Sequence, residues 1–318
     1  MTIDARPPDA RDVPDDQGAP VGTGMTATDL GEFDGVAVVP PDRASAVPAA
    51  LESVVPEPVE RRRYVRFRGG EGQAVEDGVI AEIRLSIVVN DRELVQLMCS
   101  PHQLNALVVG FLSLEGLIDG YDDLDAIRVC VADRVAEVRL AREPRELPSR
   151  RIVTSGCTGG VSFGAYLDEL DRLRLPPDDV LLEPACAYGL LRQLYDRAHL
   201  YRQSGGVHTS LLADPSGRVL AVAEDIGRHN TIDKLRGLAL ILGFETRGMV
   251  LVASGRISSE MLLKTAMMGV PIIASRTSPT QLAVTLGERL GITVIGYLRS
   301  ASMNVYTHPG RVGGAPTT

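Results

Sequence analysis

The chain has 318 residues, a formal net charge of −8 and 44% hydrophobic residues, enough for one or two domains with a real core. It contains no run of 18 apolar residues, which argues against a membrane span. Its first 30 residues lack the basic head and apolar stretch of a secretory signal. Its four cysteines are scattered, so we expect no disulfide framework and a location in the reducing cytoplasm.

The negative charge is concentrated at the amino terminus. Residues 1–60 contain 12 acidic residues against three arginines, together with nine of the 20 prolines, whereas the remaining 258 residues hold 30 basic and 29 acidic residues. A segment with so little apolar content cannot offset the entropy of ordering. We therefore predict a disordered acidic tail over residues 1–62 and a nearly neutral folded body from residue 63. We expect no nucleic-acid partner, although the acidity that would repel an anion belongs to the tail and not to the nearly neutral body.

The pattern of residues 63–150 predicts a small, strand-rich region. Alternating apolar residues and helical spacing predict strands at Ala81–Asn90, Glu93–Cys99, Ile127–Val131 and Val135–Leu140, and a helix at Pro101–Glu115. A basic, proline-bounded stretch then leads into a loop of small residues, Thr154–Gly160.

Residues 151–312 have a different pattern, and residues 313–318 form a short tail. A helix is predicted at Glu183–Arg202, followed by a hairpin of Val207–Ala213 and Arg218–Glu224. Helices are then predicted at 229–242, 258–268 and 279–290, alternating with strands at 249–253, 271–275 and 292–298. A capping box of Ser278, Pro279 and Gln281 predicts the start of the last helix. This alternation favours an α/β layer with a largely parallel sheet.

Cys157 is the strongest single candidate for chemistry. It lies in the loop Ser155-Gly156-Cys157-Thr158-Gly159-Gly160, which can present a thiol to two partners. Arg150 and Arg151 just upstream favour the reactive thiolate. The alternative is an exposed loop residue without a role. The other three cysteines, Cys99, Cys130 and Cys186, are better explained by core packing.

Arginines follow the carboxyl ends of the predicted strands. Parallel sheets bind ligands at that edge, where helix N-termini present N–H groups to anions. The arginines at these positions are Arg228, Arg256, Arg276 and Arg299. We expect these four residues, the arginine rim, to suit a diphosphate. The alternative is four unrelated surface arginines, because the chain has 31 arginines and only two lysines, Lys234 and Lys264.

Other motifs give weaker signals. Glu260 and Lys264 have the i, i+4 spacing of a helical ion pair. No CxxC or HExxH motif accompanies His208 and His229, so we expect no zinc. The absence of GxxxxGK[ST] and GxGxxG disfavours P-loop hydrolysis and Rossmann dehydrogenation.

Taken together and in order, these residues resemble the formate dehydrogenase accessory sulfurtransferase (FdhD) family. The resemblance covers residues 64–312 and rests on Asn105–Glu115, Ser155-Gly156-Cys157, Gly205-Gly206-Val207-His208, Glu224-Asp225-Ile226-Gly227-Arg228-His229-Asn230 with Asp233-Lys234, Ser254-Gly255-Arg256 with Glu260 and Lys264, and Gly296–Thr307. Each element alone is unspecific, but the ordered set is specific. Residues 1–60 lie outside it.

The resemblance implies that the protein carries sulfur. A cysteine desulfurase would hand sulfane sulfur to Cys157, and the persulfide would sulfurate the molybdenum bis(molybdopterin guanine dinucleotide) cofactor before it enters formate dehydrogenase. The cofactor is thus a bound substrate, and relatives suggest a homodimer. We expect Arg228 and Arg256 of the arginine rim to bind the cofactor. The resemblance adds the family's cofactor-contacting stretch, which falls on Tyr297, Leu298, Arg299, Ser300, Ala301 and Ser302.

One position departs from the family pattern. Many relatives carry two cysteines in this loop, spaced as CxxC, and Gly160 stands at the second position. A disulfide within the loop is therefore impossible, although one cysteine suffices for a carrier.

The resemblance also implies a fold. The expected architecture is α/β, with a cytidine-deaminase-like C-terminal domain over residues 151–312 and a smaller strand-rich N-terminal region. A zinc-dependent deaminase or hydrolase is one alternative function, but His208 is followed by Thr209-Ser210 and no PCxxC motif occurs. A non-catalytic chaperone of the molybdenum cofactor is the other alternative.

Overall fold

The computed structural model describes residues 57–142, 153–154 and 170–316, all within one compact unit. The strands are β1 (Val59–Arg68), β2 (Glu71–Ile80), β3 (Ile83–Val89), β4 (Arg92–Cys99), β5 (Leu124–Cys130), β6 (Val135–Leu140), β7 (Val153–Thr154), β8 (His208–Ala213), β9 (Val219–Asp225), β10 (Val250–Ala253), β11 (Ile272–Ser275), β12 (Thr293–Gly296) and β13 (Asn304–Val305). The helices are α1 (Leu104–Leu114), α2 (Pro184–Asp196), α3 (His199–Ser204), α4 (Arg228–Leu242), α5 (Ser259–Met267) and α6 (Gln281–Leu290). Within these ranges, none of the helices is long and apolar enough to cross a membrane.

The first large sheet confirms the strands and the helix expected after residue 80. It has five strands in the order β5-β6-β3-β4-β7. Alternate residues of β3, such as Leu85 and Ile87, are fully buried and pack with the residues of α1 in one core. All eleven residues of α1 are buried, because this helix is covered by the sheet on one side and by α4 on another.

The second sheet confirms the alternation of strands and helices but corrects the expected pairing. Its six strands lie in the order β13-β12-β11-β10-β8-β9. Only the neighbours β10, β11 and β12 pair in parallel, whereas β8 and β13 pair antiparallel with their neighbours. The sheet is therefore mixed. Strand β8, the first strand of the β8–β9 hairpin, lies antiparallel beside β10. Residues of α4, α5 and α6 pack on one face and those of α2 on the other.

The boundary expected between residues 62 and 63 falls inside a strand. β1 begins at Val59 and pairs along its whole length with β2 in an antiparallel hairpin. The sequence pattern missed it because most of its side chains are exposed, so no buried face imposes an apolar alternation. Exposed ion pairs from Arg61 and Arg63 to Glu76 cross the hairpin.

Two helix boundaries also differ from expectation, each through a contact distant in sequence. The helix predicted at Glu183–Arg202 is two helices, because the Glu224 carboxylate accepts hydrogen bonds from the N–H groups of Leu200 and Tyr201, both 2.9 Å, at the start of α3. The N-cap of α6 is Thr280, whose hydroxyl accepts from the Ala283 N–H, and not Ser278. Residues 278–280 are extended instead, since Thr280 N–H bonds to Ile257 O.

Helices α1 and α4 cross at two glycines. A Cβ on Gly110 would lie 1.7 Å from Asp233 O, and one on Gly237 would lie 1.9 Å from Ala106 O. The backbones are therefore in direct contact, which only glycine permits. This crossing fixes the strand-rich region against the helix that begins at the arginine rim.

Candidate functional site: an arginine-lined edge of the second sheet

Four strands of the second sheet end at one edge. β10, β11 and β12 run in the same direction, and β9 shares it because both β9 and β10 are antiparallel to β8. Carboxyl ends of parallel strands, followed by helices, form the edge at which α/β sheets bind ligands. The helix α4 begins there directly after β9, so its free N–H groups favour an anion.

Each residue of the arginine rim follows one of these strands. Arg228 is the first residue of α4, Arg276 comes directly after β11, and Arg256 and Arg299 follow β10 and β12 within three residues. Arg228 is half-buried and the other three are exposed. The common edge expected from the sequence is therefore present, while binding of a ligand there stays a prediction.

One half of the rim combines guanidinium groups with aromatic rings. The Arg276 guanidinium lies 5.6 Å from the centre of the Tyr195 ring, and that of Arg299 lies 5.9 Å from the Tyr297 ring. Arg299 also donates hydrogen bonds to the carbonyls of Arg276 and Leu298, which hold its side chain beside Arg276. Tyr195 was not predicted at the rim, because it belongs to α2, which is distant from Arg276 in the chain.

The stretch 297–302 forms the outer wall of this half. Tyr297 adopts a left-handed backbone conformation, with φ of 51°, and is 44% exposed. Arg299, Ser300, Ala301 and Ser302 are exposed as well, and Arg299 N–H bonds to Ser302 O at 2.8 Å. The Leu298 side chain, in contrast, is fully buried in the core, so contact of this residue with a ligand stays a prediction that involves only its backbone.

The other half of the rim surrounds His208. This half-buried residue begins β8, and its Nδ1 lies 3.4 Å from Ser254 Oγ at the end of β10. Burial, and then the charges of Arg228 and Arg256, lower the pKa of His208 below its ordinary value. The imidazole is therefore neutral near pH 7.

A buried ion pair lies at the turn between β9 and α4, next to Arg228 of the rim. The Lys234 ammonium lies 2.7 Å from Asp225 Oδ2, and it donates to Glu224 O at 2.9 Å. Asp225 Oδ2 also accepts hydrogen bonds from the N–H and hydroxyl of Ser100. Asp225 Oδ1 accepts from the Gly227 N–H and the Asn230 side-chain amide. The end of β4 is thereby joined to the turn between β9 and α4.

A second buried network lies deeper in the core. Lys264 Nζ is 2.7 and 2.8 Å from the two oxygens of Asp233 and 3.7 Å from Glu260 Oε1, which confirms the expected pair with Glu260 but makes Asp233 the nearer partner. His229 Nε2 lies 3.0 Å from Ser258 Oγ. Burial, followed by the charges of Lys264 and Arg228, lowers the pKa of His229 to about 3.

Sequence reasoning named the charged residues of both networks but, apart from Glu260 with Lys264, did not predict how they pair. The available signal was the pair of lysines themselves, which persist in a chain that otherwise uses arginine. Both are almost fully buried. A lysine ammonium is a compact point charge with three donors, which lets each of these side chains bond to more than one oxygen in a small space.

Cys157 lies outside the described residues, but the strand that leads to it does not. β7 pairs in parallel with β4, with Val153 opposite Gln96 and Thr154 opposite Leu97. The chain therefore leaves β7 in the direction in which β4 runs to Ser100, which bonds to Asp225 at the rim.

The three remaining cysteines differ in burial. Cys99 is fully buried, which confirms the expected core packing, and burial raises the pKa of its thiol so that it is not a thiolate at neutral pH. Cys130 and Cys186 are half-buried, with their Sγ atoms 3.0 Å from Asp133 Oδ2 and 3.7 Å from Ser216 O. Across residues 57–142 and 170–316, no group of three His, Cys, Asp or Glu side chains is arranged to hold a metal ion.

The fold and the rim define the class of protein: a mixed α/β protein that presents an arginine-lined sheet edge with aromatic rings to solvent. Comparisons with known proteins make this specific. The chain belongs to the FdhD/NarQ family, whose model matches residues 80–313.

Individual relatives cover most of the chain. It is 35% identical over 251 residues to the sulfur carrier protein FdhD of Bacillus subtilis, covering 78% of this chain and 95% of that protein. It is 38% identical over 241 residues to the protein of the same name from Halalkalibacterium halodurans, covering 74% and 89%. A crystal structure from Desulfotalea psychrophila, of a protein assigned as a formate dehydrogenase accessory protein, superposes with a TM-score of 0.65 at 29% identity, covering 80% and 99%.

Proposed function

We propose that the protein is a sulfurtransferase that carries sulfur on Cys157 from a cysteine desulfurase to the molybdenum bis(molybdopterin guanine dinucleotide) cofactor of a formate dehydrogenase. The names of its relatives, sulfur carrier protein and formate dehydrogenase accessory protein, support this role. In the first step the Cys157 thiolate attacks the terminal sulfur of the donor's persulfide. The donor's S–S bond breaks, a new one forms on Cys157, and the donor cysteine leaves as a thiolate.

The observation that carries the proposal is the direction of β7. Thr154 lies beside the end of β4, which is bonded through Ser100 to Asp225 at the arginine rim. Only two residues, Ser155 and Gly156, separate Thr154 from Cys157, so their Cα atoms lie within about 11 Å of each other. The strand that precedes Cys157 thus belongs to the sheet whose β4 is bonded to the rim, and in this proposal Cys157 delivers sulfur to a cofactor held at the rim.

The cofactor is the substrate of the rim in this proposal. Its guanosine diphosphate arms need cations for the phosphates and a flat surface for the base. Arg276 and Arg299 with the Tyr195 and Tyr297 rings offer both, and Arg228 and Arg256 extend the positive edge. In the same proposal the protein is a homodimer in the cytoplasm. It binds no resident zinc, and its second sheet has a deaminase-like fold.

Mass spectrometry of the full chain tests the sulfur step. After incubation with a cysteine desulfurase and L-cysteine, we expect one added sulfur atom on the Cys157 peptide. The half-buried Cys186 is the matched control: Cys157→Ser abolishes loading and Cys186→Ser does not. Sulfur on the Cys186 peptide, or unchanged loading of Cys157→Ser, contradicts the proposal.

Activation of formate dehydrogenase separates a carrier from a chaperone. With Cys157→Ala we expect an enzyme that contains the molybdenum cofactor but is inactive. A cofactor chaperone that transfers no sulfur would leave activity unchanged. Stoichiometric zinc in the purified protein would instead favour the deaminase-like hydrolase.

A further inference from the structure

His208 lies where three elements meet at the arginine rim. It is the first residue of β8, Gly255 follows β10, and Arg228 begins α4. A Cβ on Gly255 would lie 3.1 Å from His208 Nδ1 and 3.2 Å from Arg228 Cβ. The imidazole and the arginine thus pack closely on either side of a residue that has no side chain.

The hydrogen bonds around Ser254 orient the imidazole. Ser254 Oγ accepts from the Thr209 N–H at 3.0 Å and lies 3.4 Å from His208 Nδ1, so its own proton is available to that nitrogen. In the tautomer that accepts from Ser254 at Nδ1, the neutral ring carries its proton on Nε2. Within the described part of the chain this nitrogen has no hydrogen-bond partner, so it can donate to a ligand.

The charges around His208 are mainly positive. The groups that face it are Asp225 on β9, Arg228 and His229 on α4, and Ser254 and Arg256 after β10. Burial and the two arginines disfavour its protonation, and Asp225 opposes them. That carboxylate is itself compensated by Lys234, 2.7 Å away. Without a ligand, the imidazole therefore stays neutral among cations.

We propose that His208 contacts the anionic ligand of the rim and takes up a proton when that ligand binds. The inference rests on the proposed function, because it assumes an anion between Arg228 and Arg256. Such an anion compensates the two guanidinium charges and adds negative charge beside the ring. Both changes favour the imidazolium form, which offers a charged donor to the ligand.

The proposal fixes the direction of a pH dependence. The pKa of His208 is higher in the complex than in the free protein, so the complex holds more protons and binding tightens as the pH falls. The gain is complete below the pKa of the free protein and vanishes above that of the complex. Each unit between the two values makes binding about tenfold tighter at low pH.

Histidine resonances measure this directly. In the full chain labelled with [13C]histidine, titrated with and without guanosine diphosphate, we expect the pKa of His208 to rise by one unit or more on saturation. His208→Gln identifies its resonance, and the exposed His199→Gln serves as the matched control. A pKa of His208 that stays unchanged on saturation overturns the proposal.

Affinity provides the second readout. The terminal phosphate of the nucleotide titrates near pH 6, so the informative quantity is the difference between variants. From pH 8 to pH 6, guanosine diphosphate binding to wild type and to His199→Gln should tighten severalfold more than binding to His208→Gln and His208→Asn. An equal pH dependence of affinity in wild type and all three variants overturns the inference about His208 and leaves the proposed nucleotide binding at the rim unaffected. If guanosine diphosphate does not bind the wild type, the rim function fails and this inference with it.

Discussion

Lys234 Nζ lies 2.7 Å from Asp225 Oδ2, and both side chains are fully buried. This ion pair joins three parts of the chain, because Asp225 also binds Ser100 at the end of β4 and Asn230 in α4. Strand β4 guides β7 toward the rim, and α4 carries Arg228. The pair therefore holds the strand beside β7 against the helix that carries Arg228.

Removing one partner of this pair should be costly. Asp225→Asn leaves an ammonium buried without its counterion, and we expect a loss of about 3–5 kcal/mol in the free energy of unfolding. Urea denaturation measures it. The control is Glu137→Gln, which breaks an exposed pair with Arg128 at 3.8 Å and should cost less than about 1 kcal/mol. Similar losses in the two variants would contradict the structural role of the buried pair.

A structural feature of this protein can be predicted from the sequence when the residues that cause it lie close together in the chain. The strands after residue 80, α1 and the rim arginines follow from apolar spacing and from the position of Arg256 or Arg299 after a strand. The break before α3 does not, because it depends on Glu224, 23 residues or more away in the chain. Strand β1 was missed because its side chains are exposed.

The same distinction holds for the site. Sequence order places Arg276 at a strand end, but only the folded chain brings Tyr195 from α2 against it. The partner of a buried lysine is likewise set by packing, so Lys234 could be marked as unusual but not assigned to Asp225.

The crossing of α1 and α4 gives a second stability prediction. In Gly110→Ala the new methyl group would overlap Asp233 O, so the helices must separate, and we expect a loss of about 3 kcal/mol or more. Gly189 is the matched control, because it lies within α2 and a Cβ there meets nothing within 4 Å. Gly189→Ala should stabilise by about 0.5–1 kcal/mol through helix propensity. Thermal or urea unfolding of both variants measures the contrast, and equal effects would refute the close crossing.

The lowered pKa of His229 leads to a prediction of how the free energy of unfolding changes at acidic pH. Its pKa is about 3 in the folded protein, where burial and the charges of Lys264 and Arg228 keep it neutral, and near 6.5 when unfolded. Between these values the unfolded chain binds the extra proton. Stability from this residue is therefore complete above pH 6.5 and falls by up to about 1.4 kcal/mol per pH unit as the pH drops.

The comparison with His229→Gln isolates this effect. Urea denaturation from pH 7 to pH 4 should show a steeper loss of stability for wild type than for the variant. Titrating groups that do not interact with His229 are common to both proteins and cancel in the difference. Parallel pH profiles would show that His229 is not held neutral in the folded state.

The outer half of the rim should dominate nucleotide affinity. Arg299 is already held beside Arg276 by hydrogen bonds to two carbonyls, so little side-chain entropy is lost when it binds a phosphate. A hydrogen bond to a charged group contributes about 1.5–3 kcal/mol, so Arg299→Ala should weaken guanosine diphosphate binding by about tenfold or more in calorimetry. The control is Arg289→Ala, an exposed arginine of α6 that pairs with Asp171 and lies away from the strand ends. Because exposed charges are screened, the difference between the two variants should shrink as salt is raised. An equal affinity for both variants at low salt would mean that the nucleotide, if it binds, is held elsewhere.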